Sequence, residues 1–372
     1  MSVIRILPYA IPALAAGVLA AALRLARRDG ARKRGAPGEP ELSVVVPAYN
    51  CEDSIAEAVE RLFQAYDPGK IDLIIVDDAS TDGTAGAVDR LRERYPFEVL
   101  TKTRNEGKAR ALNDGIRKSR RDLVLVLDAD TSVRRPVLDD LLRRLGDPRV
   151  GAASARYVAA NRGFLPRMTG ISYALLAIGQ AAQNPRACLS LWGGCMLFKR
   201  TALEAIGGFR PWMLLEDMDA ALRLARAGWR AEQAWTPVRT RIPERPADWL
   251  RQQVRWASGM MQCLLTHPGR QVRNPVLILL AILFWLVSAG MVVALLLPGT
   301  YGLPTAGFLA AAFMLLSLPF ALAASPGAKW KAVLLVVPYT FVCFPLHATV
   351  AGFSFLLGIY RYFRLRRGGR AW

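Results

Sequence analysis

From Val276 to Tyr360 the chain carries only two charged side chains, Lys329 and Lys331. A bilayer is the solvent that fits such a run. It also restricts the structure, because every backbone N–H and C=O must be satisfied within the segment, as a helix does. Pro275–Leu297 offers the about 20 apolar residues that an α-helical span requires. Gly302–Ala324 does so too, and membrane helices tolerate its Pro304 and Pro319. Ala332–Tyr360 is apolar but long, with Pro338 and Pro345 to bend it, and Ile6–Leu23 is a fourth apolar stretch.

Charge follows the same layout. The formal net charge of the 372 residues is +19, although hydrophobic residues make up 53%. Residues 1–41 hold seven basic and three acidic side chains, and residues 273–372 hold eight basic and no acidic ones. Most of the excess therefore flanks the apolar ends. This mixture excludes disordered, collagen-like and small disulfide-stapled chains. Two readings of Ile6–Leu23 stand, a cleaved signal sequence and an anchor. Only Arg5 precedes it, whereas Arg24, Arg27, Arg28, Arg32, Lys33 and Arg34 follow, so the positive-inside bias favours an anchor. The C-terminal end stays open. Three spans put Arg361, Arg364, Arg366, Arg367 and Arg370 on the outer side, against that bias, and a re-entrant pair within Ala332–Tyr360 is the alternative. The layout expected is an N-terminal transmembrane anchor at 1–28, a cytoplasmic domain at 42–272 that includes an interface helix, and a transmembrane region at 273–372. Such a protein is integral to the cell (inner or plasma) membrane.

The middle region reads as alternating strands and helices. Ser43–Pro47, Asp72–Val76, Glu98–Thr101 and Asp122–Leu127 are short runs of buried-strand character, the first two rich in β-branched residues. Between them, Glu52–Gln64 puts Ile55, Val59, Leu62 and Phe63 on one helical face, and Thr84–Arg94 and Lys108–Lys118 are also helical. Val137–Leu145 is a further helix. This order argues an α/β domain with a mainly parallel sheet. Ligands of such sheets gather beyond the carboxyl ends of the strands. Asp77 and Asp78 sit there after one strand, and Asp128 and Asp130 after another.

Taken singly, each acidic cluster is weak. Asp128-Ala129-Asp130 recurs in form as Asp217-Met218-Asp219, and Asp77-Asp78 before Ser80-Thr81-Asp82-Gly83 is also ordinary turn chemistry. Glu216 and Asp217 also suit the start of a helix over Met218–Ala227. Order is what raises their weight. V-P-A-Y-N at 46–50, V-D-D-A-S-T-D-G-T at 76–84, N-E-G-K-A-R-A-L-N-D-G at 105–115 and L-D-A-D at 127–130 come first. L-E-D-M-D at 215–219 and Q-Q-V-R-W at 252–256 then follow, just before the first C-terminal apolar stretch.

This series resembles the membrane-bound, inverting glycosyltransferases of family 2, which include the synthases of hyaluronan, chitin, cellulose and poly-N-acetylglucosamine. The resemblance runs over about Leu42–Leu264 with the flanking spans, in order. It implies a GT-A-like nucleotide-sugar-binding domain flanked by transmembrane helices, a UDP-sugar donor and Mg²⁺ or Mn²⁺. Asp130 is then the metal ligand, with Asp128 toward the ribose and diphosphate. Tyr49 and Asp78, beside Asp77, hold the uracil, and Lys108 supplies a positive charge at the donor. Glu216 and Asp217 form the catalytic pair, with Asp217 the general base that takes the acceptor hydroxyl's proton. Arg255 pairs with the diphosphate, Trp256 makes a platform under the acceptor sugar, and Gln252 positions the site. Trp192 and Gly193 belong to an acceptor-side loop, where small residues let a sugar approach the backbone. Gln252, Arg255 and Trp256 also suit a plain amphipathic interface helix, since Trp and Arg are common at membrane surfaces.

Three departures from the family pattern are visible. Ala79 stands where a glycine usually follows the paired aspartates, and Leu215 where a threonine commonly precedes Glu-Asp. One N-terminal span precedes the domain, where several polymer synthases have two. The resemblance thus implies transfer with inversion to a growing β-linked polysaccharide. Single transfer to a membrane lipid acceptor is the nearest alternative, and a non-catalytic export scaffold the next. The partners implied are the donor, a polysaccharide or lipid acceptor and membrane lipids, with room for an export or oligomer partner. Nucleic acid is not among them, because the chain has no recognition motif for it. Five scattered cysteines without C-x-x-C spacing and two histidines imply neither disulfides nor a zinc site.

Overall fold

The computed structural model describes residues 38–181 and 188–267. The expected spans Ile6–Leu23, Pro275–Leu297, Gly302–Ala324 and Ala332–Tyr360 lie outside the described residues. Among the described residues no helix is long and apolar enough to cross a membrane. These residues fall into two compact units, one of 38–161 with 188–241 and one of 162–181 with 242–267.

The first unit is built on one sheet. Its strands are β1 (Leu42–Ala48), β2 (Ile71–Asp77), β3 (Glu98–Thr101), β4 (Leu123–Leu127), β5 (Thr131–Ser132), β6 (Val150–Ala159), β7 (Cys195–Lys199) and β8 (Arg230–Thr240). Its helices are α1 (Ile55–Ala65), α2 (Thr84–Arg92), α3 (Lys108–Lys118), α4 (Arg135–Leu145), α6 (Arg200–Ala205) and α7 (Glu216–Arg226). α5 (Phe164–Ala181) and α8 (Pro246–Thr266) belong to the second unit.

Strand side chains alternate between two cores, as a pleat requires. Val44, Val46, Leu73, Ile75, Leu125 and Leu127 meet one face, which α1, α2 and α4 cover with residues such as Val59, Leu62, Val88 and Leu141. Val45, Ile74, Val76, Val124, Val126 and Phe198 meet the other, covered by Leu112 of α3, Leu203 of α6 and Leu224 of α7. A strand buried on both faces has no polar side to show, so β1, β2 and β4 read as continuous apolar runs. Each fully buried aliphatic side chain contributes about 1.5–3 kcal/mol of transfer free energy, which makes this double core the main source of stability. The four residues expected on one face of α1, Ile55, Val59, Leu62 and Phe63, are all buried.

The sheet is mixed, with four parallel pairs and three antiparallel ones among the described residues, so the expected mainly parallel sheet carries an antiparallel part that the sequence did not show. Its order is β3-β2-β1-β4-β7-β6-β8-β5. β1 pairs in parallel with β2 and β4, and β2 with β3. β7 runs antiparallel to both β4 and β6, and β5 antiparallel to β8, whereas β6 and β8 are parallel. The reason is local. Helices α1, α2 and α3 supply the crossovers that parallel pairing needs, but β7 enters beside β4 from the opposite end. That entry brings the turn before β7 to the carboxyl end of β4, where Asp128 N donates to Gly194 O at 2.9 Å. Because β2 and β4 flank β1 on opposite sides, the crevice beyond β1 and β4 is the switch point where α/β sheets bind ligands.

Candidate active site

At the donor side, β1 runs out into Tyr49, which is half exposed, and β2 ends at Asp77. Asp77 Oδ1 accepts from Ser80 N at 3.0 Å and Ser80 Oγ at 2.6 Å, closing a tight turn. Inside that turn Ala79 sits at φ +62°, a left-handed conformation that costs a residue with a Cβ about 1–2 kcal/mol. Ala79→Gly is therefore expected to stabilise the chain by about 1 kcal/mol, net of glycine's greater unfolded entropy. A thermal melt of the purified variant checks this, with a midpoint raised by about 2–4 °C.

Asp78 is buried, and its carboxylate is fully engaged. It accepts from Glu106 N on both oxygens at 3.1 Å and from Gly107 N at 2.7 Å, and it forms an ion pair with Lys102 Nζ at 2.9 Å. These contacts use the roughly four acceptor positions a carboxylate has, so Asp78 organises the Asn105–Lys108 loop. Gly107 follows at φ +92°, where glycine is the residue that fits without strain. From there α3 begins at Lys108.

Lys108 is the hub. Its Nζ lies 2.6 Å from Asp128 Oδ1, 2.8 Å from Asp128 Oδ2 and 3.4 Å from Glu216 Oε1, and it donates to Gly193 O at 3.3 Å. Withdrawal from water alone would lower the lysine's pKa, but Asp128 and Glu216 outweigh it and hold the amine well above its ordinary range. The same withdrawal pushes the Asp128 carboxyl up to about 6, opposed by Lys108 and reinforced by Asp130. Farther along α3, Asn113 Nδ2 donates to Phe209 O at 2.7 Å and Phe209 N to Asn113 Oδ1 at 2.8 Å. One helix thus carries the lysine and grips the segment that leads into α7.

The sequence placed the start of this second helix at Met218, with Glu216 and Asp217 as caps. It begins instead at Glu216, with the two acids in its first turn and no side-chain cap from Leu215 before it. Asp217 Oδ1 accepts from Met218 N at 2.7 Å. Its Oδ2 lies against Gly193, where a Cβ would come within 2.9 Å of it. Gly194 N donates to the phenol oxygen of Tyr157, whose ring meets Trp192 edge-on at 4.5 Å and 79°. Loss of hydration and the charges of Asp128 and Asp217 push the Tyr157 phenol well above its ordinary pKa, so it stays protonated.

Asp130 is exposed one residue past the β4 turn. Its Oδ1 accepts from Thr131 Oγ1 at 3.1 Å and from Thr240 Oγ1 at 3.5 Å. Among the described residues no group of three or more His, Cys, Asp or Glu side chains is arranged to hold a metal. A single exposed, oriented carboxylate nonetheless suits Mg²⁺ or Mn²⁺ shared with phosphate and water, since hard cations of this kind are held by one or two carboxylates plus substrate phosphates.

The first unit therefore brings together Lys108, Asp128, Glu216, Asp217, Trp192 and Gly193, with Asp130 close by and Asp77 and Asp78 shaping the loop beside them. Gln252, Arg255 and Trp256 lie on α8, in the second unit. There Trp249 Nε1 donates to Thr169 Oγ1 of α5 at 3.0 Å, and Trp256 meets Tyr173 at 5.8 Å. Gln252 Oε1 is buried without a hydrogen-bond partner among the described residues. Sequence reasoning missed Tyr157, Asn113, Thr131 and Thr240. Asn113 stood within the N-E-G-K-A-R-A-L-N run and could have been singled out, but Tyr157 had no spacing to any carboxylate that would mark it.

Comparison with known proteins bears on this geometry. Residues 43–207 match the Glycosyl transferase family 2 model, a stretch from β1 through α6. An N-acetylglucosaminyltransferase of Rhizobium sp. (strain N33) is 32% identical over 243 residues, covering 59% of this chain and 52% of that protein. A poly-beta-1,6-N-acetyl-D-glucosamine synthase of Staphylococcus aureus (strain MSSA476) is 29% identical over 233 residues, covering 60% of this chain and 55% of that protein. The chain spans about half the length of the curated relatives it matches. Among solved structures, the mannosyltransferase PcManGT from Pyrobaculum calidifontis, in complex with GDP-Man and Mn²⁺, superimposes with a TM-score of 0.61. It is 25% identical, and the match covers 93% of this chain and 99% of that one.

Proposed function

We propose, from a glycosyl transferase family 2 domain over residues 43–207, that the chain is an integral membrane hexosyltransferase. In this reading it moves a sugar from a UDP-sugar to a β-linked polysaccharide with inversion. The observation that carries the reading is one frame holding Lys108, Asp128, Glu216 and Asp217 at the crevice beyond β1 and β4.

Asp217 takes the proton of the acceptor hydroxyl as that oxygen bonds to the anomeric carbon. The bond from that carbon to the diphosphate oxygen breaks in the same step, and the nucleoside diphosphate leaves with the electron pair. A single displacement inverts the anomeric centre, so an α-linked donor gives a β-linkage. Lys108 supplies fixed positive charge near the leaving group, and positive charge at that place stabilises the transition state more than the bound substrate. Asp130 would hold Mg²⁺ or Mn²⁺, whose chemistry there is Lewis-acid stabilisation of the leaving diphosphate. Tyr49 offers an exposed ring on which a base can stack. Gln252, Arg255 and Trp256 of α8 are assigned to the diphosphate and acceptor by motif, and the buried, unpartnered Gln252 Oε1 supports a polar ligand at that helix. The apolar ends are assigned to the membrane, with the domain on the cytoplasmic side.

A UDP-sugar is preferred because two relatives are named for N-acetylglucosamine transfer and synthesis of its polymer. The likeness to a structure solved with GDP-Man keeps a GDP-sugar as the second reading. Membranes containing the full chain, incubated with radiolabelled UDP-N-acetylglucosamine, other UDP-sugars and GDP-mannose, separate the two, and sizing the product completes the test. High-molecular-mass label supports polymer synthesis, and one sugar on an organic-extractable lipid replaces it with glycolipid formation. Chelation is expected to abolish incorporation and Mg²⁺ or Mn²⁺ to restore it, with Asp130→Asn needing more metal for the same rate. Undiminished turnover in chelator would remove the metal from the mechanism.

A further inference from the structure

Tyr157 belongs to none of the motifs that mark the site. We infer that it is a positioning residue for the transfer step. By accepting the Gly194 amide, its phenol oxygen holds the Gly193–Gly194 turn where that turn serves Lys108, Asp128 and Asp217 together. The inference rests on the glycosyl-transfer reading above.

Polar contacts among the described residues attach the turn on both sides. Gly193 O receives Lys108 Nζ at 3.3 Å, and Gly194 O receives Asp128 N at 2.9 Å. Those two partners are themselves what must be aligned, so they cannot serve as the reference. The independent anchors both come from β6. Ser154 Oγ takes Trp192 N at 3.1 Å at the upstream end, and Tyr157 takes Gly194 N at the downstream end. Ser154 is fixed in turn by Gln233, whose Nε2 donates to Ser154 O at 3.0 Å. The Tyr157 ring packs edge-on against Trp192.

There is no slack in this contact. A Cβ on Gly194 would lie 2.5 Å from the Tyr157 oxygen and 3.1 Å from Thr131 Oγ1. A Cβ on the neighbouring glycine would lie 2.9 Å from Asp217 Oδ2. Any drift of the turn is therefore passed directly to the carboxylate that takes the proton. Tyr157 acts through Gly194, so its loss should appear in turnover and not in donor affinity.

Tyr157→Phe keeps the ring and deletes the acceptor. In the full chain, nucleoside diphosphate release from UDP-N-acetylglucosamine and GDP-mannose is measured, with a thermal melt of each variant. Expected is a kcat about ten- to a hundredfold lower, the size a misplacement near 1 Å produces, with KM for the nucleotide sugar within about twofold. Thr236→Val is the matched control. It removes a 2.9 Å hydrogen bond to Asp140 away from the site, so it should lower the melting midpoint while kcat stays near wild type. Gly194→Ala attacks the same contact from the other partner and should reproduce the kcat-selective loss. Unchanged kcat in Tyr157→Phe, or an equal loss in Thr236→Val, overturns the inference. So does failure of both Tyr157→Phe and Gly194→Ala to melt cooperatively, which would make the contact a folding requirement. A wild-type chain that releases nucleoside diphosphate from neither sugar overturns the glycosyl-transfer reading, and the inference with it.

Discussion

Asp217→Asn is expected to turn over nucleotide sugar about 10²–10⁴-fold more slowly than the wild type, the range a general base contributes. The substitution is isosteric, and the amide oxygen still accepts the Met218 N–H that Asp217 Oδ1 accepts now. Helix α7 should therefore begin at the same place and the melting midpoint should barely move. Donor affinity should hold as well, because the short contacts of Lys108 to Asp128, Gly193 and Glu216 remain in the variant. Calorimetric binding of UDP beside a rate measurement separates the two effects. Weakened UDP binding with a proportionate loss of rate would assign Asp217 to the donor, and a normal rate would remove it from proton transfer.

Gly193→Ala should lower kcat about a hundredfold through geometry alone. Gly193 does not adopt a positive φ, so alanine meets no left-handed backbone penalty there. What it meets is Asp217, with Oδ2 at 2.9 Å, Cγ at 3.4 Å and Cβ at 3.5 Å from the added methyl. A real Cβ does not tolerate the first of these distances. The lightest response is rotation of the carboxylate, which moves the base off its line of attack, and a displacement near 1 Å costs about 10² in rate. Stability should change little, since the moving atom is a side-chain end. Full activity in the variant would mean that the Asp217 carboxylate does not need its present place.

Parts of this arrangement were legible from sequence for definite reasons. β1, β2 and β4 are covered on both faces, and continuous runs such as Val44-Val45-Val46 and Leu73-Ile74-Ile75-Val76 cannot be solvent-facing. α3 spans Lys108–Lys118, the range read from the sequence, and starts directly after Gly107. The mixed half of the sheet was not legible. β6 contains Ala152, Ala153 and Ala155 among its buried residues, too small to give a periodic signal, and β8 is interrupted by a register shift between Ala155 and Arg156 on its partner. The site showed the same division. Its carboxylates and lysine carry charge types that motifs record. Tyr157 and Asn113 act by reaching main-chain atoms far away in sequence, 37 and 96 residues off, and that relation exists only after folding.

The grouping of one lysine with several carboxylates has a kinetic consequence. Among the described residues Lys108 lies against the carboxylates of Asp128 and Glu216 and feels the charge of Asp217, so in this cluster carboxylates outnumber the cation. If the chain binds a nucleotide sugar as proposed, a bare nucleoside diphosphate would be slowed by that cluster, and raising the ionic strength would speed its entry by screening. A donor whose phosphates already carry a divalent ion is not opposed in this way. On the proposed function, such a site would favour a particular order of arrival, in which the cation travels in with the sugar nucleotide, and a discharged diphosphate that lost its cation would be pushed back out.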